Sequence, residues 1–122
     1  MPEDLNMTIT VEAYSGTETV STTEWSMTTD TVGPDTDTSS GLFQAFIDLN
    51  ALVFGDVFEF CVYEKCRTGD TQRKVYAAQF ANAQAAPIWA SPALILGIGW
   101  DMTLKRVSVA DRAIAWRISK VV

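Results

Sequence analysis

The sequence contains no histidine, only two cysteines, and no lysine or arginine before Lys65. The absence of histidine excludes Ser-His-Asp and Cys-His arrangements for nucleophilic catalysis, because each candidate nucleophile lacks its commonest base. Two thiols without a histidine also fall short of a zinc-binding set. We therefore expect no catalytic residue, no metal ligand and no cofactor-binding residue, and we expect that the protein is not an enzyme.

The two cysteines are not placed to form a disulfide. Cys61 and Cys66 lie in one predicted strand, where they face opposite sides at a separation of about 16 Å. The start of the chain, MPEDLNMTIT, has neither a basic nor an apolar segment, so we expect no secretory signal. These features favour a protein that is made and kept in the cytoplasm.

The longest uncharged stretch raises the question of a membrane span. Residues 75–100 carry no charge and are long enough to cross a bilayer. The stretch also contains polar residues and prolines: Gln79, Asn82, Gln84, Pro87 and Pro92. Because its first apolar positions alternate, we predict a strand followed by a crossover that contains the prolines, with no membrane contact.

Charge is distributed unevenly along the chain. Residues 1–64 carry twelve acids and no base, whereas residues 65–122 carry nine bases and three acids. The acidic half repels phosphate, and the bases occur singly or in pairs, so we expect no nucleic-acid binding. Either strands from the two halves neutralise each other's charge within one domain, or the acidic half of one copy contacts the basic half of a neighbouring copy.

Period-two alternation and β-branched residues predict strands along most of the chain. The predicted strands are residues 7–14, a weak strand near 18–27, and residues 42–49, 56–66, 72–81, 93–98, 100–109 and 113–121. A break is expected at Ser15-Gly16. Short connections predict two hairpins, one over residues 56–81 and one over residues 100–121.

These elements place the chain in the all-β class. Seven or eight short strands hide their apolar faces on each other in an antiparallel β-sandwich, either jelly-roll or Ig-like, with a small closed β-barrel as the alternative. Residues 1–40 contain eleven Thr and five Ser and form an acidic N-terminal arm with the first strands. Residues 41–122 form the sandwich core, and the whole chain is one domain.

Two acidic patterns are candidates for chemistry. Glu59 with Asp48 or Asp101 is a candidate catalytic carboxylate pair, but solvent-facing carboxylates are the simpler interpretation. Residues 35–41 begin like a calcium loop, with Asp35 and Asp37 at alternate positions. The sixth position of that loop is Ser40, where glycine is needed, so a solvated turn or a weak surface ion site is expected.

The four tryptophans suggest either core packing or sugar stacking. Trp116 is in register with apolar neighbours and Trp100 opens a strand, so both are predicted to be buried. Trp25 and Trp89 lie in irregular surroundings and are better candidates for contact with another molecule.

Several segments of the second half resemble small structural proteins of tailed bacteriophages. The resemblance covers residues 41–122 and rests on Gly55-Asp56, Val62-Tyr63-Glu64-Lys65, Thr71-Gln72-Arg73, Gly99 to Lys105 and Asp111 to Trp116. It implies a virion component with a β-rich fold, most simply a capsid decoration or cement protein that is assembled in the host cytoplasm. The implied partners are the major capsid protein, sister copies, or both, with a homo-oligomer or lattice-bound state.

We expect partner contact through the arm and the crossover. The predicted contact residues are Met7, Ile9, Val11, Trp25, Pro87, Trp89 and Pro92. A head-to-tail connector or tail component, and a carbohydrate-binding module on the virion surface, remain the alternative functions.

Overall fold

The computed structural model of the protein describes residues 7–122. Within these residues the regular structure consists of ten β-strands, and no helix occurs. The strands are β1 (Ile9–Val20), β2 (Trp25–Ser26), β3 (Thr31–Val32), β4 (Gly41–Asp48), β5 (Val57–Glu64), β6 (Arg73–Ala81), β7 (Ile88–Ala90), β8 (Leu94–Leu96), β9 (Asp101–Ser108) and β10 (Arg112–Val121).

The strands form two antiparallel sheets. Sheet A has the order β1-β10-β4-β7, and β8 also pairs with β4. Sheet B has the order β3-β2-β9-β5-β6. Neither sheet closes on itself within the described residues, so the predicted antiparallel sandwich is confirmed and the closed barrel is excluded.

The strand pairing is that of a jelly roll. Strand β1 pairs with β10, β2 with β9, β4 with β7 and β8, and β5 with β6. Pairs are thus nested from the chain ends towards the β5–β6 hairpin, and most consecutive strands lie in different sheets. This nesting distinguishes the jelly roll from the Ig-like order that the sequence left open.

The core lies between the sheets because alternate side chains of each strand point inward. In β4, Phe43, Ala45 and Ile47 are buried, and the residues between them are partly exposed. The ring centroid of Phe43 lies 4.3 Å from that of Trp100. Trp100 and Trp116 are both buried, as predicted.

One of the two predicted hairpins is confirmed. Strands β5 and β6 pair from Val57 opposite Ala81 to Glu64 opposite Arg73. The turn between them includes a hydrogen bond from the Asp70 amide to the Arg67 carbonyl.

The second predicted hairpin, over residues 100–121, is wrong. Strand β9 lies in sheet B and β10 in sheet A, so the short connection between them crosses the sandwich. Both strands show clean alternation because each has one face on the same core. Alternation therefore identified the strands but carried no information on their partners.

The break predicted at Ser15-Gly16 does not occur, because β1 continues to Val20. Gly16 lies opposite Trp116 of β10, and a methyl group at Gly16 would stand 2.7 Å from Cζ2 of Trp116. The glycine thus makes room for an indole within a strand. The weak strand predicted near 18–27 is consequently divided between the end of β1 and the two-residue strand β2.

Residues 7–40 pair with later strands of the same chain. Strand β1 pairs with β10, and β2 pairs with β9. The first six residues of the predicted arm lie outside the described residues.

The uncharged stretch 75–100 forms β6, β7 and β8 with their connections. The strand predicted at 93–98 is shortened to β8, and the short strand β7 between the two prolines was not predicted. The described residues include no helix long and apolar enough to span a membrane.

Candidate functional site

The outer face of sheet A carries a row of apolar side chains from four neighbouring strands. Ile9 of β1 lies opposite Val121 of β10, and Leu42 of β4 lies opposite Val121 on the other side. Leu42 also lies opposite Ile95 of β8. Ile9 is 63% exposed and Ile95 is 85% exposed. We call these four residues the apolar strip.

The strip faces outward because its neighbours in β4 and β8 face inward. Phe43 follows Leu42 in β4 and is buried, and Leu96 follows Ile95 in β8 and is buried. Since alternate residues of a strand point to opposite sides, the strip lies on the surface. A register-aligned apolar row on a solvent-facing sheet is typical of a surface that binds a partner.

A shallow cavity of about 250 Å³ lies on the same outer face of sheet A. Phe46, Arg117, Glu12 and Asp48 are among the residues that line it. The Arg117 guanidinium lies 4.0 Å from the centroid of the Phe46 ring and covers it. This ring is therefore not open to stack on a sugar.

Of the predicted contact residues, Ile9 belongs to the apolar strip, and Met7 and Val11 lie near it in the sequence. Met7, Ile9 and Val11 are all exposed. The backbone of Thr8 exchanges two hydrogen bonds with that of Val122, which fixes the chain next to the end of β10. The structure thus places Ile9 in the strip and leaves Met7 and Val11 exposed.

Trp25 and Trp89, which were also predicted to contact a partner, are less exposed than Met7, Ile9 and Val11. Trp25 is half-buried, and its indole Nε1 donates a hydrogen bond to Asp30 Oδ1 at 2.9 Å. Trp89 packs edge-on against Phe80 and Phe60, with ring centroids 4.8 Å and 5.4 Å away. Both indoles are partly buried against the core, so neither is fully exposed to a ligand.

The prolines that flank β7 differ in exposure. Pro87 is half-buried, and its carbonyl accepts a hydrogen bond from the Leu49 amide at 2.7 Å. Pro92 is exposed. The structure therefore separates the seven predicted contact residues into the exposed N-terminal group with Pro92 and the more enclosed Trp25, Pro87 and Trp89.

The outer face of sheet B carries a buried polar network centred on Asp101. Its Oδ1 accepts hydrogen bonds from the hydroxyls of Ser26 and Thr28 and from the Met102 amide, and its Oδ2 accepts one from the Asp35 amide at 2.7 Å. Burial raises the pKa of Asp101, although these hydrogen bonds favour the charged form. The carboxylate thus holds the segment that contains β2 and β3 against β9 within sheet B.

Glu24 extends the network along the same face. Its Oε2 accepts hydrogen bonds from the hydroxyls of Tyr63 and Thr103. Burial and the Glu24 hydrogen bond raise the pKa of Tyr63. Burial, followed by the charge of Glu59, raises the pKa of Cys61 to about 11, so its thiol is protonated and a weak nucleophile at neutral pH.

The structure does not assemble the carboxylate couple considered from the sequence. Asp48 lies on the outer face of sheet A, whereas Glu59 lies on sheet B, 3.5 Å from Lys105. Both oxygens of Asp101 are occupied by donors of the network. Glu59 is partly buried and Asp101 is fully buried, whereas the sequence suggested carboxylates that face solvent.

The acidic turn at residues 35–41 directs its carboxylates to protein donors. Asp35 Oδ2 accepts hydrogen bonds from the hydroxyls of Thr29 and Thr31. Asp37 accepts hydrogen bonds from the Tyr14 hydroxyl and the Ser39 amide. Among residues 7–122, no group of three or more acidic, cysteine or histidine side chains is placed to hold a metal ion. Both cysteines in this range are free thiols.

In the folded protein, an acidic part and a basic part of the sequence form two opposite lateral sides of the jelly roll. Residues 7–40 form β1, β2 and β3 and carry six acids and no base. Residues 65–100 form β6, β7 and β8 and carry four bases and one acid. We call these the acidic flank and the basic flank.

The flanks lie on opposite sides because they contain the edge strands. Sheet A ends in β1 on one side and in β7 on the other, and sheet B ends in β3 and in β6. Only four residues join β1 to β2, so these strands lie on the same side of the sandwich. The contact between Trp89 of β7 and Phe80 of β6 places those strands together on the opposite side.

Acidic and basic side chains in and next to the central strands β5, β9 and β10 form ion pairs with each other. Arg112 Nε lies 2.7 Å from Asp56 Oδ2, and Lys105 lies 3.5 Å from Glu59, so bases of the second half pair with acids of the first. The four ion pairs among residues 7–122 include none of the six acids of the acidic flank.

Sequence reasoning did not identify Leu42, Ile95 and Val121 as surface contact candidates. Each lies in a segment that was predicted as a strand. Their alignment depends on pairing between distant strands, which the sequence does not reveal. Only the high apolar content of residues 93–98, next to Pro92, was a local signal.

Comparison with protein-family models, with curated proteins and with solved structures finds no match for this chain.

Proposed function

We propose that this protein is a structural component of a tailed-phage virion, a capsid decoration or cement protein that binds the head shell through the apolar strip. The exposed strip is the observation that carries the proposal. It offers to a partner a surface that is formed by four hydrogen-bonded strands. The resemblance of residues 41–122 to phage structural proteins supports the same role.

The energetics of the strip suit repeated weak binding. Burying apolar surface stabilises a complex by about 25 cal/mol per Å², so four side chains give a weak contact once association entropy is subtracted. A shell offers many identical sites in a fixed lattice. If several copies are linked, their combined binding exceeds that of one contact by orders of magnitude.

A head-to-tail connector or tail component is the second candidate. The oppositely charged flanks favour it, because contacts between unlike surfaces generate rings. A carbohydrate-binding role receives less support, since Trp89, Trp100 and Trp116 pack inside the domain and Arg117 covers Phe46.

The shell-binding proposal is tested by cosedimentation with empty head shells of the phage that encodes the chain. We expect Ile95→Lys to weaken binding at least about tenfold, because a charge would be desolvated at the contact. Phe54→Lys is the matched control: Phe54 is 90% exposed, similar to Ile95, but lies in the loop between β4 and β5.

Three results would count against shell binding through the strip. They are a wild-type protein that does not sediment with shells, equal binding of the wild type and Ile95→Lys, and equal weakening by both variants. Electron microscopy of the particle then separates the candidates. Density spread over the shell supports decoration, and density at a single vertex supports the connector.

A further inference from the structure

We propose that copies of this protein associate side by side, with the acidic flank of one copy against the basic flank of the next. The partner is a second copy of this chain. The inference deepens the proposed virion role by naming a sister-copy contact, but it uses a surface different from the apolar strip.

The first supporting observation is the charge on each flank. The acidic flank carries six acids without a single base, and the basic flank carries four bases with one acid. Lys65, Arg73 and Lys74 take part in none of the four ion pairs among the described residues, although the charge of Lys74 acts on Glu59 of β5 at longer range. Opposite charges on the two flanks therefore remain available for attraction between copies.

The second observation is that both flanks end in strands with an open edge. The edge strands are β1 and β3 on the acidic side and β6 and β7 on the basic side. Edge strands present backbone donors and acceptors that have no partner within their own sheet. A contact between flanks can therefore include backbone hydrogen bonds as well as ion pairs.

The third observation is the direction of the strands. Strand β1 runs antiparallel to β10, which runs antiparallel to β4, so β1 and β4 share one direction. The connection from β4 to β5 reverses the chain, and β6 runs antiparallel to β5. Strands β1 and β6 therefore begin at the same end of the sandwich.

This common direction sets the orientation of the neighbouring copies. Glu12 lies near the start of β1, and Arg73 and Lys74 lie at the start of β6. Two copies placed side by side in the same orientation bring Glu12 to the level of these two bases. Inverting one copy would move the charges to opposite ends.

The contact is heterologous, because unlike surfaces meet. Two acidic flanks repel each other, as do two basic flanks, so a symmetric dimer is disfavoured through either flank. Each added copy leaves one acidic and one basic flank free. Association therefore continues until a ring closes or a linear array forms.

Charge reversal with complementation tests this contact. The acid-reversed variant is Glu12→Lys with Glu18→Lys, and the base-reversed variant is Arg73→Glu with Lys74→Glu. None of these four side chains takes part in an ion pair within residues 7–122. The base-reversed variant has two negative flanks, with net charges of −6 and −1, so it should raise the dissociation constant at least about tenfold. The acid-reversed variant reduces the charge of its acidic flank from −6 to −2, so it should weaken the association by a smaller factor.

An equimolar mixture of the two variants should recover the association. The natural acidic flank of the base-reversed variant and the natural basic flank of the acid-reversed variant remain complementary, with net charges of −6 and +3, so the two variants pair through this contact. The mixture is expected to associate to within about threefold of the wild-type dissociation constant. The matched control for the acid-reversed variant is Asp48→Lys with Asp111→Lys, which changes the net charge by the same amount outside both flanks. It removes only the partly exposed ion pair of Asp111 with Arg106, so it should associate like the wild type.

Sedimentation velocity at two salt concentrations measures the outcome. At about 0.1 M salt charges act over about 10 Å, and at about 1 M over about 3 Å, so the wild type should dissociate as salt rises. Circular dichroism checks that every variant is folded. If a variant does not fold, the salt dependence of the wild type remains a complete test.

Three results would overturn the proposal. They are a wild-type protein that stays monomeric up to about 1 mM at the lower salt concentration, a mixture that stays as dissociated as its components, and a control variant as weakened as the acid-reversed one. Ile95 lies in the basic flank, but Ile95→Lys removes none of its charges and adds a further base on the outer face of sheet A, so this variant should still self-associate. A failure of shell binding is thereby distinguished from a failure of self-association.

Discussion

The two sheets of this sandwich share one core but have different outer faces. Sheet A exposes the apolar strip to solvent. On sheet B, the outward side chains of Asp101 and Thr103 in β9 are buried in a hydrogen-bonded network with residues 24–35, which include the neighbouring strand β2. The same strand alternation thus gave one open face and one closed face.

The difference arises from the segment that connects β1 to β4. This connection contains β2 and β3 and is held to sheet B by the Asp101 carboxylate and by Glu24. No comparable segment within residues 7–122 crosses the apolar strip. The polar side chains on the outer face of sheet B therefore form hydrogen bonds within the protein. The apolar side chains on the outer face of sheet A remain exposed and can contact a partner.

The largest expected loss of stability comes from a substitution in the polar network on the outer face of sheet B. Asp101→Asn places an amide NH₂ against at least one of the donors that now face the carboxylate. We expect the free energy of unfolding to fall by about 2–4 kcal/mol, because buried donors lose their acceptor. Urea unfolding followed by tryptophan fluorescence measures this change.

The control is the same substitution on the open face. Asp48 lies on sheet A, where its Oδ1 accepts one hydrogen bond from the exposed Asn50 amide. Asp48→Asn should change the free energy of unfolding by less than about 1 kcal/mol. Equal losses for the two variants would contradict the distinction between the faces.

A second, smaller effect concerns the inner side of sheet A. Gly16→Ala introduces a methyl group 2.7 Å from the Trp116 ring, whose Nε1 is held by the Met27 carbonyl. The indole therefore cannot move freely, and we expect a loss of about 1–3 kcal/mol in the same unfolding measurement.

Ser15→Ala tests whether the Gly16 effect is specific. Ser15 is the neighbouring residue of β1, but it is exposed. Its replacement should change the free energy of unfolding by less than about 0.5 kcal/mol. If both substitutions were equally harmful, close packing of Gly16 against Trp116 would not explain the loss.

The smallest effect is a pH dependence at the ion pair that joins the two sheets. The Arg112 hydrogen bond, with a further bond from the Val53 amide, lowers the pKa of Asp56 below its ordinary value of 3.8. The unfolded chain therefore takes up this proton at a higher pH than the folded protein. The stabilising contribution is complete above pH 3.8 and is lost as the pH falls through the lower folded value.

Asp56→Asn isolates this contribution. The variant should be less stable than the wild type at neutral pH, and the difference should shrink as the pH falls below about 4. Thermal unfolding between pH 7 and pH 2 measures both trends. A difference that stayed constant over this range would contradict the lowered pKa of Asp56.

Much of the fold was predictable because a strand with one buried face has alternating apolar and polar residues, and this pattern is visible within the strand's own sequence. Residues 42–49 alternate clearly, and they form β4 almost as predicted. The failures arose where a local signal had a tertiary cause. Gly16 resembled a strand break but accommodates an indole, and the tight connection after β9 resembled a hairpin but crosses between the sheets.

The candidate surface was predicted only in part. Met7, Ile9 and Val11 were expected to contact a partner, and all three are exposed, with Ile9 in the strip. Leu42 and Ile95 were not singled out, because they are fifty-three positions apart in the sequence and meet only through the β4–β8 pairing.

The sequence alone determined the all-β class, the two-sided strands, the unequal charge of the two halves and the absence of histidine chemistry. These properties depend on residue type and on spacing within single strands. Tertiary structure decided which strands pair, which outer face stays open and that the unequal charges lie on opposite flanks. The reason is that pairing brings together residues from distant parts of the chain, and local alternation is the same for every possible partner.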